Sequence, residues 1–591
     1  MNFASLAVPP AVLVLTAAAL LVAPPSDAAP QPLASALDGV WAGERRFGPP
    51  APVETVTVQR HGAAWTAAVG TARAPGRPAP YGALRFTFAG GELRVRDPAR
   101  GAIAQWIQPA TAANAVRYAS PVRLSAVADG SFRGVIRPLL DTEHLFLVVR
   151  TGGDGTTQAF IRNPERNLGA YVGLRAVTLQ GTTVRLVRPE KPDVIGRYDP
   201  SRGTLTLRLD DPPGDVVLER ASAANAAAFF ARPKMTSYAY RRPLEDGDGW
   251  QTAALADAGL DADKIAAVMN EILRGGTPSL RAPYIQSVQI ARHGKLVLDE
   301  YFYGFDADRP HDVRSAGKSV TTLLVGRAIE DGAPLAAQTP VYPLFAEYAP
   351  FANDDPRKAS ITVEHLMTMA AGYACDDNGD TWTGEDAMQS QHAQPDWYKW
   401  TLDLPLAFAP GTKAYYCSPE INLLGAIVQK STRTWLPDYF AARFAAPMQF
   451  GRYAMWLTGP PADTAYMAGG DYFRPRDFLK FGQLFLDRGR WHGTPVIDPR
   501  WLDASAMPRT TIEGEIGGYG YAWHVFDVVV GGRTYHAINA GGNGGQLMTV
   551  IPELDMAIMI AAGNYGQYPV WSKYIERTIP DLAAAAVVTS R

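Results

Sequence analysis

The chain has little cysteine, little charge and few long apolar runs, and each shortage excludes a class of protein. Only two of its 591 residues are cysteine, so a disulfide-rich scaffold is excluded. Charged residues make up 19% of the chain and the formal net charge is −2, so we expect no nucleic-acid partner. After the N-terminus, no uncharged apolar run reaches spanning length. These features predict a globular mature chain without a stable membrane span.

Three catalytic signatures are also missing. The sequence contains no Gly-x-Ser-x-Gly elbow, which argues against an α/β-hydrolase. Its nine histidines form no His-Glu-x-x-His cluster or similar metal motif, so we expect no metal and no other cofactor. Gly317-Lys318-Ser319 is similar to the end of a phosphate-binding loop, but Asp312 stands where the first glycine is required, which disfavours nucleotide binding.

The first 30 residues predict an export signal. An apolar run from Leu13 to Ala23 precedes Ser26-Asp27-Ala28, a small-x-small site with cleavage after Ala28. An uncleaved membrane anchor is the alternative interpretation. We therefore expect residues 1–28 to be a cleavable signal peptide and the protein to be periplasmic or secreted.

The length of the chain predicts more than one domain, because 591 residues are more than usually fold around a single hydrophobic core. Residues 35–220 contain short runs of alternating polar and apolar residues, separated by Gly, Pro, Asp and Asn. Consecutive strands without helices between them predict an all-β accessory domain, a barrel or a sandwich, whose role stays open. Residues 221–250, first Ala-rich and then rich in Arg and Pro, are the predicted linker.

Residues 251–588 predict an α+β domain. A hairpin over 285–301 comes early, a helix from about Ser315 to Asp331 follows, and two apolar strands, 547–551 and 556–561, come late. Strands at both ends with helices between them predict one central antiparallel sheet with an inserted helical subdomain.

Ser315-Ala316-Gly317-Lys318 is the motif with the clearest chemistry. Residues three apart share a face at a helix start, so the Lys318 ammonium can reach the Ser315 hydroxyl. The helix N-terminus favours developing negative charge, and burial lowers the pKa of a lysine. The helix that follows is nearly apolar, and a lysine beside it is costly unless it has a partner. The pair could therefore activate the serine as a nucleophile; an ordinary capped helix is the alternative.

Two later segments offer further groups. Tyr416-Cys417-Ser418 supplies a phenol, which beside a lysine can lose its proton more easily and act as general base and then acid. A buried tyrosine with a satisfied hydroxyl is the alternative. Segment 539–546 is dense in glycine, so a backbone N–H there could complete an oxyanion hole with that of Ser315. A flexible hairpin turn is the alternative for this segment.

In this order the three elements resemble the serine β-lactamase and penicillin-binding-protein superfamily, whose marks are Ser-x-x-Lys, Tyr-x-Asn and a Lys-Thr-Gly strand. The resemblance covers about residues 250–585 and includes the hairpin segment 287–297 and segment 361–369 ahead of Gly372. Within the superfamily the chain looks most similar to class C-like members, the family VIII carboxylesterases and 6-aminohexanoate-dimer hydrolases. The resemblance implies a β-lactamase/transpeptidase-like fold for this domain.

The resemblance also implies roles for single residues. Ser315 would be the acylated nucleophile, Lys318 its proton-handling partner, and Tyr416 the base that also protonates the leaving group. The oxyanion hole would consist of the backbone N–H groups of Ser315 and, to within one residue, Gly542. The residues that would bind the substrate are Ser418, Asn539, Ala540 and Gly541.

Two departures from the family pattern bear on the substrate. Ser418 stands where the family usually has Asn, and Asn539 stands where lactamases and DD-peptidases have Lys and many esterase-like relatives have His. That cation normally pairs with a substrate carboxylate. Its absence favours a small, neutral or differently anchored ester or amide. A D,D-peptidase or β-lactamase, and a non-catalytic binding or sensor protein on the same fold, stay open, as does the oligomeric state.

The two cysteines, Cys375 and Cys417, are a disulfide candidate in an exported protein, with two buried thiols as the alternative. Closing the long loop between them is worth roughly 3–4 kcal/mol by chain-entropy estimates. The bridge would also fix the backbone beside Tyr416. The acidic run at 376–380 is expected to be a solvated loop.

Overall fold

The structure is a computed structural model, and it does not describe every residue. The predicted signal peptide, residues 1–28, lies outside the described residues. Among the described helices, none combines the length and the apolar character needed to cross a membrane. The described ranges are 36–48, 54–96, 103–112, 116–153, 157–210, 212–275, 279–378, 385–459 and 463–587.

The described residues between 36 and 220 are built almost wholly of antiparallel strands, which confirms the all-β prediction for this region. Alternate residues face the interior, as Val56 and Val58 do in the second strand. A short helix, α1 (Leu168–Val172), interrupts the series. The strands are β1 (Gly39–Arg46), β2 (Glu54–His61), β3 (Ala64–Val69), β4 (Ala72–Pro75), β5 (Arg77–Ala79), β6 (Ala83–Phe88), β7 (Gly91–Arg96), β8 (Ile103–Gln108), β9 (Arg117–Arg123), β10 (Ser125–Ala126), β11 (Phe132–Ile136), β12 (Thr142–Thr151), β13 (Thr157–Arg162), β14 (Ala176–Gln180), β15 (Thr183–Val187), β16 (Val194–Asp199), β17 (Thr204–Asp210) and β18 (Pro213–Arg220).

The described residues between 251 and 587 fold as an α+β domain, hereafter the C-terminal domain. Its helices are α2 (Ala262–Gly275), α3 (Gly317–Glu330), α4 (Val363–Met367), α5 (Asp386–His392), α6 (Trp397–Asp403), α7 (Ser418–Thr432), α8 (Leu436–Phe440), α9 (Pro475–Leu486), α10 (Pro499–Ser505), α11 (Tyr568–Lys573) and α12 (Ile579–Ala584). Its strands are β19 (Ile285–Arg292), β20 (Lys295–Tyr301), β21 (His311–Asp312), β22 (Tyr453–Leu457), β23 (Tyr472–Phe473), β24 (Arg490–Trp491), β25 (Thr494–Pro495), β26 (Gly518–Tyr519), β27 (His524–Val530), β28 (Arg533–Gly542), β29 (Gln546–Ile551) and β30 (Met556–Ala562).

A central antiparallel sheet organises this domain, in the order β20-β19-β30-β29-β28-β27-β26. The first hairpin pairs with the last strand, so that Val288 of β19 lies opposite Ile560 of β30. The sheet is thus assembled from both ends of the domain with helices inserted between them, as predicted. Strands β29 and β30 are buried along their whole length because α2 and α12 pack on one face and α3 and α9 on the other.

Two further sheets lie in the N-terminal region, and a third joins that region to the C-terminal domain. The first has the order β13-β12-β1-β18-β17-β16-β15-β14, and the second β10-β11-β2-β3-β4. The joint sheet has the order β21-β23-β22-β9-β8-β7-β6-β5, with Met455 of β22 opposite Ala119 of β9. Strand β21, at one edge of this sheet, ends at Asp312, just before the turn that carries Ser315. The predicted domain boundaries near residues 220 and 251 stay predictions.

Residues 221–250 connect the two parts without a strand or an α-helix, and charged side chains anchor their end. Asp248 is buried, and its carboxylate accepts a hydrogen bond from Arg476 Nε at 2.7 Å. Lys480 donates to the backbone oxygen of Asp248 at 2.8 Å and to Asp477 Oδ1 at 2.7 Å. This buried ion-pair network holds the linker against α9.

We predict that Asp248→Ala lowers the free energy of unfolding by about 3 kcal/mol, because it leaves the buried Arg476 guanidinium without its main carboxylate partner. Urea unfolding followed by tryptophan fluorescence measures the change. Asp257→Ala, at an exposed position near the linker, is the control and is expected to change stability by less than about 0.5 kcal/mol. Equal effects of the two substitutions would contradict the anchoring role.

Candidate active site

Ser315 lies in a tight turn between β21 and α3. Arg314, Ser315 and Ala316 form one 3-10 turn that continues into α3, so the serine stands at the helix start. Arg314 has a φ of 48°, a conformation that non-glycine residues adopt rarely. Asp312 holds this conformation, since its carboxylate accepts from the Arg314 backbone N–H at 2.9 Å and pairs with Arg314 Nε at 2.9 Å.

Lys318 contacts the serine directly, as the spacing of the motif predicts. Its Nζ lies 2.7 Å from Ser315 Oγ and donates to the backbone oxygen of Ala468 at 2.7 Å. The side chain is almost fully buried. Burial lowers the pKa of Lys318 to about 8, although nearby carboxylates act in the opposite direction. A substantial fraction of this amine is therefore neutral at slightly alkaline pH.

Tyr416 is the third predicted residue, and the structure brings it to the same place. Lys318 Nζ lies 4.9 Å from the centre of the Tyr416 ring, and the phenol faces the Ser315 hydroxyl. Burial, reinforced by Glu515, raises the pKa of Tyr416 well above its ordinary value, with only partial compensation from Ser315. The expectation that Tyr416 loses its proton more easily is therefore wrong for this structure, because desolvation of a phenolate outweighs the neighbouring amine.

Asp377 is a buried carboxylate near this group, although it belongs to the acidic run 376–380 that was expected to be a solvated loop, of which residues 379 and 380 lie outside the described residues. That expectation is wrong for Asp377, which is 1% exposed. Its carboxylate accepts from the backbone N–H groups of Ser418 at 2.7 Å and Met388 at 2.8 Å. It therefore satisfies the first turn of α7, and its negative charge also acts on Lys318.

Glu385 is a second carboxylate that acts on Lys318 and that the sequence did not single out. Its Oε1 accepts a hydrogen bond from Asn543 Nδ2 at 3.0 Å and lies 3.5 Å from Arg314 Nη1. Glu385 thus links the turn that carries Ser315 to the end of β28. No local pattern marks it, because its partners come from distant parts of the chain.

Position 539, where the resemblance predicts a cation, holds a neutral amide in a buried setting. Asn539 Oδ1 accepts from Thr549 Oγ1 at 2.8 Å. His524 of β27 lies opposite Asn539, and burial lowers the pKa of this imidazole even though Glu515 Oε2 lies 3.8 Å from Nε2. His524 and Glu515 were both missed by sequence reasoning, since only the strand register places them here.

Gly542 packs its backbone directly on the Ser315 turn. A Cβ atom at this position would lie 2.4 Å from the Val313 oxygen and 3.0 Å from the Ala316 nitrogen, so a larger residue has no space. The glycine-rich segment predicted to supply the oxyanion hole is therefore beside Ser315. Of the four predicted substrate-binding residues, only Gly541 is partly exposed; the buried ones are Ser418, Asn539 and Ala540.

The predicted disulfide between Cys375 and Cys417 is present. Close to it, the Asp377 N–H donates to the Tyr416 backbone oxygen at 2.6 Å. The bridge and this hydrogen bond tie the loop that carries Asp377 to the segment that carries Tyr416.

We predict that Gly542→Ala slows labelling of Ser315 by a fluorophosphonate about tenfold or more, because the added methyl group displaces the turn that carries the serine. Gly541→Ala is the matched control, since its Cβ meets only side chains, with Asn539 Nδ2 nearest at 3.0 Å. Labelling is measured by intact-protein mass spectrometry after thermal melting has shown both variants to be folded. Labelling of Gly542→Ala at the wild-type rate would contradict the packing argument.

The fold and this constellation are those of a serine hydrolase domain with a Ser-x-x-Lys turn beside an antiparallel sheet. The sequence model of the Beta-lactamase family matches residues 282–567. The match covers slightly less than half of the chain, and it supports the resemblance of this part to the serine β-lactamase and penicillin-binding-protein superfamily.

Several solved structures are similar to this chain, whereas no curated protein matches it. Simvastatin synthase (LovD) from Aspergillus terreus is 16% identical, with 55% of this chain and 99% of that chain covered and a TM-score of 0.42. A penicillin-binding protein homologue from Caulobacter crescentus is 15% identical, with 56% and 99% covered and a TM-score of 0.41. A candidate 6-aminohexanoate-dimer hydrolase from Bacillus anthracis is 17% identical, with 50% and 79% covered and a TM-score of 0.41.

Proposed function

We propose that the protein is an exported serine hydrolase that cleaves a small ester or amide through an acyl-enzyme on Ser315. The proposal rests mainly on the distance of 2.7 Å between the buried Lys318 amine and Ser315 Oγ. Burying an amine and a phenol around one hydroxyl is costly. Activation of a nucleophile explains that cost, since a neutral amine can take the serine proton.

The protonation states of Lys318 and Tyr416 determine which group accepts a proton and which donates one during acylation. Ser315 Oγ forms a bond to the carbonyl carbon of the substrate while its proton passes to the neutral Lys318 amine. Tyr416, which burial keeps protonated, donates its proton to the leaving group as the bond to that group breaks. The proton on Lys318 returns to Tyr416 and resets both groups. The backbone N–H groups of Ser315 and Gly542 stabilise the tetrahedral oxyanion.

Deacylation uses Lys318 and Ser315 again, now with a water molecule as the nucleophile and Ser315 Oγ as the leaving group. A water molecule forms a bond to the acyl carbon and gives one proton to Lys318, and the bond between that carbon and Ser315 Oγ breaks. Lys318 passes that proton to Ser315 Oγ as the bond breaks, so the amine is neutral again and the acid product leaves.

The neutral side chains of Asn539 and His524 favour a neutral substrate over penicillins and D-Ala-D-Ala peptides. Asn539 and His524 offer hydrogen bonds there without the charge that a substrate carboxylate requires. The disulfide supports export, because such bridges persist in oxidising compartments. Export itself rests on the predicted signal peptide.

We predict that Ser315→Ala removes ester hydrolysis almost completely, and that Lys318→Ala and Tyr416→Phe each lower kcat by about a hundredfold or more, because each removes a proton-transfer group or the nucleophile. A panel of p-nitrophenyl esters and anilides provides the measurement. Tyr415→Phe and Lys413→Ala, next to the site in sequence, are the controls and should retain activity. Hydrolysis by Ser315→Ala at the wild-type rate would end the assignment.

We predict that kcat/KM rises about tenfold per pH unit up to about pH 8 and then levels, because only the neutral form of Lys318 accepts the serine proton. Glu515→Gln removes a negative charge that favours the ammonium form, so the pKa of Lys318 falls and the rising limb moves to lower pH. Glu513→Gln, at an exposed position nearby, is the control. In Glu515→Gln, a rising limb of kcat/KM that stays at the wild-type pH or moves to higher pH would contradict the role of Lys318.

A further inference from the structure

Gly541 leaves a space beside the end of β28, close to the turn that carries Ser315. It is partly exposed, and it immediately precedes Gly542, whose backbone packs on that turn. Two polar atoms border the space, because a Cβ atom at position 541 would lie 3.0 Å from Asn539 Nδ2 and 3.9 Å from His524 Nε2. A substrate group that lies over Gly541 therefore meets an amide and an imidazole.

Glu515 adds a carboxylate to this space. Its Oε2 lies 3.8 Å from His524 Nε2, and its Oε1 accepts a hydrogen bond from Asn378 Nδ2 at 3.1 Å. Burial lowers the pKa of His524, so the imidazole is neutral at neutral pH and does not offset the charge of Glu515. Among the residues that the structure describes, no lysine or arginine forms an ion pair with Glu515. We call Gly541, Asn539, His524 and Glu515 the Gly541 subsite.

The loop that carries Glu515 lies beside the segment that carries Tyr416. Ala414 forms an isolated β-bridge with Ile512, three residues before Glu515. Asp377, the neighbour of the asparagine that holds Glu515, donates its backbone N–H to the Tyr416 oxygen at 2.6 Å. Because Tyr416 protonates the leaving group in the proposed mechanism, the Gly541 subsite lies on the leaving-group side of the nucleophile.

The charges around the reacting serine favour a cation on this side. Three carboxylates act on Lys318, namely those of Asp377, Glu385 and Glu515. Glu385 pairs with Arg314, and Asp377 accepts hydrogen bonds from backbone N–H groups. Glu515 is the carboxylate that borders the Gly541 subsite, and its side chain is 20% exposed. A carboxylate that is partly removed from water attracts a positive charge more strongly than one on the open surface.

We propose that the Gly541 subsite binds an ammonium group in the leaving part of the substrate, with Glu515 as the specificity-determining residue. The inference rests on the proposed function of Ser315. The lack of a cation at position 539 disfavours a substrate carboxylate, and the charge of Glu515 further favours a cation over a neutral group. The favoured substrates are then esters of amino alcohols, or amides of diamines, whose ammonium group lies a few atoms from the scissile bond.

Choline butyrate and neohexyl butyrate test this proposal, because a carbon atom in the neohexyl group replaces the ammonium nitrogen and the two leaving groups otherwise have the same shape. The measurement is made at about pH 9, where most of Lys318 is neutral. We expect kcat/KM for the choline ester to exceed that for the neohexyl ester about tenfold, mainly through KM. Glu515→Gln keeps the shape of the side chain and removes its charge, so the ratio of the two kcat/KM values should fall to about one.

Glu513→Gln, which removes an exposed negative charge from the same loop, is the matched control and should leave this ratio at its wild-type value. Each ester is also measured as a competitor of p-nitrophenyl butyrate, so that slow turnover still yields a ratio. A wild-type ratio near one, or a ratio that Glu515→Gln leaves unchanged, would overturn the role of Glu515. Failure of the proposed function has a separate signature, namely hydrolysis of the neohexyl ester by Ser315→Ala at the wild-type rate.

Discussion

The candidate site depends on keeping one amine, that of Lys318, out of water while giving it two oxygen partners. An amine in such a place is costly unless its hydrogen-bonding capacity is used, and here the Ser315 hydroxyl and the Ala468 carbonyl use it. Glycine makes the arrangement possible, since the backbone of Gly542 touches the turn that carries the serine. The apolar packing of α3 against the central sheet therefore has a chemical consequence, because it sets how far the amine is desolvated.

The electrostatic surroundings shift the pKa values of Lys318 and Tyr416, the two groups that can exchange protons with Ser315, in opposite directions. For Lys318, burial and the surrounding carboxylates oppose each other, and the balance leaves its pKa at about 8. For Tyr416, burial and the carboxylates act in the same direction, so the phenol keeps its proton. Titratable neighbours whose pKa values are pushed apart are a common way to divide the roles of acid and base. The amine is thus suited to accept a proton and the phenol to donate one.

Local patterns predicted much of this arrangement, and long-range contacts account for the rest. The Ser315–Lys318 pair, the two-ended sheet and the disulfide follow from spacing, alternation and residue type. Asp377 was missed because an acidic run is typical of a solvated loop, and only the tertiary fold shows that it holds the start of α7. The direction of the Tyr416 pKa shift was missed for a related reason: the sequence does not reveal how deeply a side chain is buried.

The pairing of β9 with β22 has a consequence for how the chain folds. A ribosome delivers β9 long before β22, so until the later segment arrives the outer edge of β9 exposes unpaired N–H and C=O groups. Contacts between strands so far apart in sequence form slowly. During this interval the newly made chain is vulnerable to pairing with another copy, and the geometry around the serine is among the last to be established, because β21 belongs to the same sheet.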